Sequence, residues 1–385
     1  MTDFRDANLP MRPLEGLKVV ELARILAGPW CGQLLADLGA EVIKVERPGE
    51  GDDTRHWGPP FVRDDQGSNL GAGYFHACNR GKASVGVDIT SAEGQARVRQ
   101  LVAEADVLIE NFKVGGLAQY GLDAASLCAL NPRLIYCSIT GFGQTGPYAP
   151  RAGYDFIIQG LSGFMSVNGE PDGPPLKAGV AYADIFTGVY SAVAILAAVE
   201  RRHATGRGAH IDMALLDTQI GVLANQALNW MTSGRVPGRM GNGHTNLVPY
   251  QAFPTADGEL IIAVGNDRQF GRLCDVLDLP IATDPRFATN AARVEHQLEL
   301  LALLEGATCL RSKADLAAAL EEVGVPAGPI NDIEEAFANE QVRARGLQIE
   351  RDGIPGLASP IVIDGERMVS DRPSPPLPPS EPTGC

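Results

Sequence analysis

Asp184 is the one carboxylate in the stretch Lys177-Ala178-Gly179-Val180-Ala181-Tyr182-Ala183-Asp184-Ile185-Phe186-Thr187-Gly188. It leads directly into Val189 to Val199, the most apolar helical run in the chain. An acid in that place has two chemistries open to it. As an N-cap, its side-chain oxygen accepts the free backbone N–H groups of the first helical turn. As a carboxylate nucleophile, it is held ionised and aimed by the same helix terminus. Other reactive groups are scattered. Seven cysteines form no CxxC pair and six histidines show no metal-ligand spacing, so neither a metal nor a disulfide framework is expected.

The elements around Asp184 read as alternating strands and helices. Lys18 to Leu22 has the composition of a buried strand, Ala27-Gly28-Pro29 turns into an apolar-faced helix ending near Gly39, and Glu41 to Glu46 is the next strand. The cycle repeats with strands at Ala83–Ile89, Asp106–Glu110 and Arg133–Thr140, and helices over Ser91–Ala105 and Ala124–Leu130. Ser91 with Glu93 and Gly94 marks a helix start. This alternation predicts a doubly wound parallel sheet with right-handed crossovers. It lacks the dinucleotide fingerprint: the first turn reads Ala23-Arg24-Ile25-Leu26-Ala27-Gly28-Pro29, and Pro29 removes a phosphate-binding N–H. Glu46 at the end of the second strand does not restore the motif, so a nicotinamide cofactor is disfavoured.

Helices follow over about Asp155–Met165 and Asp184–His203, then a strand at Ala209–Leu215 and a helix from Asp217 to about Met231. The basic, Gly-rich run Ser233 to His244 marks a boundary. Beyond it, Pro249–Phe253 and Glu259–Val264 flank Ala256-Asp257-Gly258 as a hairpin, and three helices complete a small α+β unit. With 385 residues, 45% hydrophobic and 21% charged, the chain suits two domains of a globular protein. The division expected is a large Rossmann-like domain over 1–225, a linker and glycine-rich loop over 226–248, a small domain over 249–328, and a return segment over 329–385. The tail from Asp371 is Pro-rich and expected to be extended or arm-like. A net charge of −15 argues against nucleic-acid or anionic-membrane partners, so any anionic ligand needs a local basic pocket. No signal-peptide core stands at Met1–Asp6 and no apolar run is read as a membrane span, which with the scattered cysteines points to the cytoplasm.

A collinear set of motifs then enters. Leu14 to Leu22, Ala27-Gly28-Pro29, Gly39 to Gly49, Gly51-Asp52-Asp53-Thr54-Arg55, Asn79-Arg80-Gly81-Lys82, Asp106 to Phe112, Gly141 to Pro147 and Gly206-Arg207-Gly208 resemble, in that order, class III coenzyme A transferases. Formyl-CoA and carnitine CoA-transferases belong to that family. The resemblance implies an α/β fold with a Rossmann-like large domain and a smaller α+β domain, in a homodimer whose chains interlock. It implies acyl transfer through an enzyme-bound aspartate, matching Asp184, with coenzyme A as substrate and no tightly bound cofactor. It further implies that Gly241-Asn242-Gly243-His244 is the glycine-rich loop covering the aspartyl thioester, so Gly241 and Gly243 join Asp184 as catalytic candidates. Arg47, Asn79, Arg80, Lys82, Asn111, Lys113 and Tyr154 fall at CoA-binding positions of the family pattern, and Trp57 and Tyr74 resemble its substrate-site aromatics.

Two departures refine this. Formyl-CoA transferase carries a glutamine just before its Ala-Gly-Pro, where this chain has Ile25 and Leu26, which argues against a formyl or oxalate substrate. Arg24 and Arg55 suit an acceptor with a second carboxylate, and Asn246 to Gln251 resembles the branch that handles succinyl-CoA and small dicarboxylic acids. The nearest rival is the α-methylacyl-CoA racemase type, which uses a histidine where Arg151-Ala152-Gly153-Tyr154-Asp155 has Tyr154. A tyrosine with an ordinary pKa of about 10 is a poor α-proton base.

Overall fold

The computed structural model describes residues 12–379. The Met1–Asp6 stretch read for a leader, Cys385 and the end of the Pro-rich tail lie outside them. Two compact units emerge. The first gathers the chain up to Phe164, Ala178–Ala224 and the chain from Glu340 onward; the second gathers Met165–Lys177 and Asn225–Asn339.

The first unit is built on strands β1 (Lys18–Glu21), β2 (Glu41–Glu46), β3 (Lys82–Gly86), β4 (Val107–Glu110), β5 (Ile135–Thr140) and β6 (Ala209–Ala214). All pair in parallel in the order β3-β2-β1-β4-β5-β6. Alternate side chains feed two cores, as the period of a strand requires. Val19, Val42 and Ile109 face one side, with Cys31 and Leu35 of α1 (Ala27–Asp37) and Ile195 of a long helix. Val20, Leu108 and Tyr136 face the other, with Val98 and Val102 of α2 (Ala92–Ala103) and Leu127 of α3 (Ala124–Leu130). The Ser91 hydroxyl accepts the Gly94 N–H at 2.9 Å, capping α2 as read from the sequence.

After β5 come α4 (Asp155–Leu161), α5 (Tyr182–Thr205) and α6 (Leu215–Gly221). Helix α5 crosses α1 at Gly188, where a Cβ would stand 2.7 Å from the Ala27 carbonyl oxygen; a side chain here would push the helices apart. The expectation that no apolar run reaches a membrane span needs correction. α5 has 24 residues and a stretch of mean hydropathy 1.6, long and apolar enough to cross a bilayer by length and composition. Its Ala183, Thr187, Ser191, Ala192, Ile195 and Ala198 are buried in the core, while Val189, Tyr190 and Val193 leave an apolar face exposed. The helix expected from Asp217 to Met231 is two helices: α6 ends at Gly221, and a second runs Ala224–Ser233 from an Ala224 with φ 45°.

In the second unit β7 (Tyr250–Thr255) and β8 (Gly258–Ala263) form the expected hairpin, and β9 (Ala327–Pro329) adds to it, all antiparallel. α7 (Asp267–Val276), α8 (Asn290–Glu295), α9 (Gln297–Thr308) and α10 (Lys313–Glu322) pack a core of Phe253, Leu260, Phe270, Leu304 and Leu316. The helix Ile333–Ala338, read from the sequence as part of the return segment, belongs to this unit. The tail is no free arm: it is hydrogen-bonded along the first unit from Ser370 to Pro378.

Candidate active site

In a doubly wound sheet, ligands bind beyond the carboxyl ends of the strands where the strand order reverses. Here that point lies between β1 and β4. A cavity of about 590 Å³ opens there, within the size range of small-molecule sites. Its walls come from the turns after β1, β2, β3, β4 and β5, joined by Arg151 to Tyr154 and Asp184.

Asp184 does not cap α5. It stands inside the first turn, and the cap is supplied by Asp155 at the start of α4. Asp155 Oδ2 accepts the Ala183 N–H at 2.8 Å and the Asp184 N–H at 3.4 Å. Gln159 holds Asp155 in turn, donating from Nε2 to Oδ1 at 2.6 Å, while its Oε1 accepts the Ala178 N–H at 2.9 Å. The helix terminus is therefore spent on Asp155, and the expectation that it holds Asp184 ionised is corrected. Burial first, and the Asp155 charge second, push the Asp184 carboxyl up to about 7. Tyr74, T-stacked on Trp57 at 5.3 Å, is pushed up to about 12 by burial and then by the Asp184 charge.

The first βα turn is strained and held from three sides. Ile25, β-branched, sits at φ 72°, a conformation that such side chains avoid. Both Asp52 carboxylate oxygens accept its N–H, at 3.3 and 3.2 Å, and the Cys78 thiol donates to its carbonyl. Asn111 clamps the preceding residue, accepting the Arg24 N–H at 2.9 Å and donating to its carbonyl at 2.7 Å. Beneath the turn lies a buried charge cluster. Lys44 Nζ contacts Glu21 at 3.0 Å and Asp52 at 2.9 Å, and Lys82 Nζ contacts Glu21 at 2.8 Å. A Cβ on Gly32 of α1 would overlap the Glu21 carboxylate, so only glycine leaves that carboxylate room.

The residues expected from the sequence divide sharply. Asp184, Arg47, Asn111, Lys113 and Tyr154 all line the cavity, with Arg47, Lys113 and Tyr154 exposed. Asn79, Arg80 and Lys82 do not offer themselves to a ligand. Lys82 is spent on Glu21, the Pro29 carbonyl and Asn79 Oδ1; Arg80 is spent on Asp37 and the Leu357 carbonyl; Asn79 donates to the Phe75 carbonyl. These three hold the sheet edge together, correcting their assignment as CoA contacts. Arg55 is likewise withdrawn: it is buried against Glu46 at 2.7 Å and cannot meet an acceptor carboxylate. Arg24 lines the cavity with its guanidinium 2.9 Å from Asp53, and Arg151 lines it while resting on the Tyr148 ring at 3.8 Å. Gly241 and Gly243 belong to the second unit, where Gly241 (φ 57°) donates to the Gly169 carbonyl and Gly243 to the Met240 carbonyl. Among the described residues no cluster could hold a metal ion.

The family description of CoA-transferase family III matches residues 14–378. The chain belongs to CoA-transferase family III. It is 60% identical over 378 residues to a succinate–glutarate CoA-transferase of Agrobacterium fabrum, covering 96% of this chain and 94% of that one. It is 42% identical over 372 residues to a succinyl-CoA:glutarate CoA-transferase of Mus musculus, covering 95% and 84%. Among solved structures, a CaiB/BaiF family protein from Brucella suis superposes with a TM-score of 0.85 at 59% identity, covering 95% and 96%.

In this family III CoA-transferase, Asp155 and Gln159 are the site residues that sequence reasoning passed over. Asp155 stood in the segment read for Tyr154, and its spacing to Gln159 is that of two residues on one helix face. Only the return of α5 across α4 makes the pair a cap for another helix. Asp155→Asn keeps an acceptor for the Ala183 N–H but removes the charge beside Asp184. Its expected result is an acid limb of the pH–rate profile displaced to lower pH than in the wild type. A limb that stays in place would show that the two carboxylates are not coupled.

Proposed function

We propose that the chain moves coenzyme A from succinyl-CoA to glutarate or a closely similar dicarboxylic acid, through a thioester on Asp184. The observation that carries this is a partly buried carboxylate, without a hydrogen-bond donor among the described residues, in a cavity at the switch point of a sheet that has no dinucleotide motif. The names of the A. fabrum and mouse relatives supply the acids.

The chemistry suits a carboxylate nucleophile, whose acyl adducts lie near the substrate thioester in energy. The Asp184 oxygen bonds to the succinyl carbonyl carbon, the C–S bond breaks, and CoA leaves as thiolate, giving a mixed anhydride. The thiolate then bonds to the Asp184 carbonyl carbon and succinate leaves, giving aspartyl-CoA. The acceptor carboxylate repeats both steps in reverse. Each tetrahedral intermediate carries an oxyanion, and a backbone N–H aimed at it contributes about 2.7–4 kcal/mol. Only the ionised form of Asp184 attacks. With its carboxyl pushed up to about 7, turnover rises with pH through that value and levels above it. A pH–rate profile flat down to pH 5 would contradict this.

Arg47 and Lys113, exposed on the cavity wall, are the charges for CoA phosphates. Arg24 is the cation for the acceptor's distal carboxylate, the Asp53 pair giving way to the ligand. Arg24→Gln is expected to raise KM for glutarate about ten-fold while changing KM for a monocarboxylate little, since one charged hydrogen bond contributes about 1.5–3 kcal/mol. Equal effects on both acids would remove this role. Gly241-Asn242-Gly243-His244 is the cover that keeps water from the aspartyl thioester. The assembly is a homodimer of interlocked chains. Supporting it, Phe156, Ile157 and Leu161 of α4 and Tyr190 and Val193 of α5 leave large apolar groups exposed, from 49% to 57%. Sedimentation should give twice the chain mass. The compartment proposed is the cytoplasm, in keeping with the six cysteines that are free among the described residues.

The transfer is tested with a panel of acids and succinyl-CoA, following the formation of each new thioester. Failure to use succinyl-CoA would overturn the donor assignment. Deuterium wash-in at the α-carbon of a branched acyl-CoA, without any acceptor, would favour a racemase. Tyr154 in place of that enzyme type's histidine argues against it.

A further inference from the structure

We infer that the C-terminal segment 370–379 is a strap that sets the shape of the CoA-binding wall, acting through Arg55 as a positioning residue; this rests on the function proposed above.

The segment is tied down at Ser370, Pro373, Pro375, Pro376 and Pro378 by groups that lie outside the strands. Ser370 N–H donates to Asp37 Oδ1 at 2.8 Å, Gly81 N–H to the Pro373 carbonyl at 3.2 Å, and Gly49 N–H to the Pro378 carbonyl at 3.3 Å. Between these, the buried guanidinium of Arg55 donates from Nη2 to the carbonyls of Pro375 and Pro376, both at 3.2 Å. The composition explains why a segment without strand pairing can do this. Proline keeps the backbone extended and donates nothing, so its carbonyls remain for Arg55 and the glycines to find.

Arg55 is the joint between strap and cavity. Stacked 3.7 Å over the Phe75 ring, it also grips Glu46 with Nε at 2.8 Å and Nη2 at 2.7 Å. Burial works to raise the Glu46 carboxyl, but the Arg55 hydrogen bonds and charge hold it below the usual range. Glu46 Oε2 accepts the Asp52 N–H at 2.8 Å, and the Asp52 carboxylate in turn holds the strained N–H of Ile25. Glu46, Arg47, Asp52 and Ile25 all line the cavity. A chain of contacts thus runs from proline carbonyls outside the site to the turn that walls it. None of these contacts reaches Asp155 or Gln159, which hold Asp184 from α4. The strap therefore governs how CoA is held, not the reactivity of the nucleophile.

Two variants test this: truncation after Asp371, and Arg55→Lys. The lysine keeps the charge beside Glu46 but lacks the fork that spans carboxylate and carbonyls together. For both, KM for the acyl-CoA is expected to rise about 10-fold or more with kcat within about two-fold of wild type, the signature of lost ground-state binding. The dissociation constant for free CoA, by calorimetry, should weaken by the same factor. A synthetic peptide of residues 370–385 should restore the truncated chain. If the truncated chain does not fold, the Arg55→Lys protein, checked by circular dichroism, decides alone. Unchanged KM and CoA affinity would overturn the inference. So would a fall in kcat that tracks lost folded protein with KM unchanged. Wild-type turnover tests the transfer reaction itself, whereas the ratio of CoA affinities tests the strap even if the transferred acyl group differs from succinyl.

Discussion

Asp184→Asn is expected to lose transfer by about 10⁴-fold or more, because every step of the reaction forms or breaks a bond to that carboxylate. The same substitution is expected to make the protein melt higher at pH 8. The sign follows from linkage. The Asp184 carboxyl stands at about 7 in the fold against 3.8 for the ordinary group, so the folded chain holds this proton more tightly than the unfolded one. Its ionised form works against folding, and stability from this group falls as pH rises from about 4 to 7. Asparagine carries no such penalty. Activity and stability therefore move in opposite directions, as they do where a site is strained for function. A variant both inactive and less stable at pH 8 would mean that Asp184 supports the fold, and its loss of activity would then say nothing about a nucleophile. Thermal melts at pH 5 and pH 8 separate the two, since the gain should shrink at the lower pH.

The largest expected effect on stability comes from Glu21→Ala. Glu21 is fully buried and is shared by Lys44 and Lys82, themselves buried. Removing it leaves two buried ammonium groups short of a counter-charge: Lys44 still faces Asp52, while Lys82 keeps only the Pro29 carbonyl and Asn79 Oδ1. Breaking a buried pair costs about 3–5 kcal/mol. Burial already pulls the Lys82 ammonium below its usual range with Glu21 present, and losing the Glu21 charge that opposes this pulls it lower still. A fall in melting temperature of about 10 °C is expected. Glu21→Gln, which keeps the shape and two acceptor sites, should recover only part of it. A change of less than about 2 °C in either would show that water reaches the cluster and solvates the lysines.

How much of this was legible beforehand differs by element. The parallel sheet was readable because its strands are short apolar runs bounded by glycine and proline, and because Ser91 and Gly206 mark helix ends by local chemistry. Asp184 was readable as a candidate because it is the one carboxylate in a small-residue stretch leading into the most apolar helical run, and because it falls at the nucleophile position of the family pattern. The roles of charged residues were not. Arg55, Arg80 and Lys82 carry the composition of anion ligands, yet Glu46, Asp37 and Glu21 take their charges, from positions 9, 43 and 61 residues away. Periodicity cannot see such pairs, since burial is decided by which strand lies beside which. For the same reason Asp155 was passed over, its partner N–H groups lying 28 and 29 residues on. The tail was read as extended or arm-like, with no sign of the contacts that hold it to the first unit. Its partners are glycine N–H groups, the side chains of Asp37, Arg55 and His76, and the arginines Arg12 and Arg351 that meet Asp371, none of which carries a sequence signal toward a proline run.

The central claim is that CoA is carried on the Asp184 side chain. Intact-mass measurement of the protein mixed with succinyl-CoA, before any acceptor is added, tests it most directly. The account predicts a CoA-sized mass increase on the wild type, located to the peptide containing Asp184, removed by hydroxylamine and absent from Asp184→Ala. A fully active wild type with no adduct under trapping conditions, or an Asp184→Ala protein turning over near the wild-type rate, would contradict it.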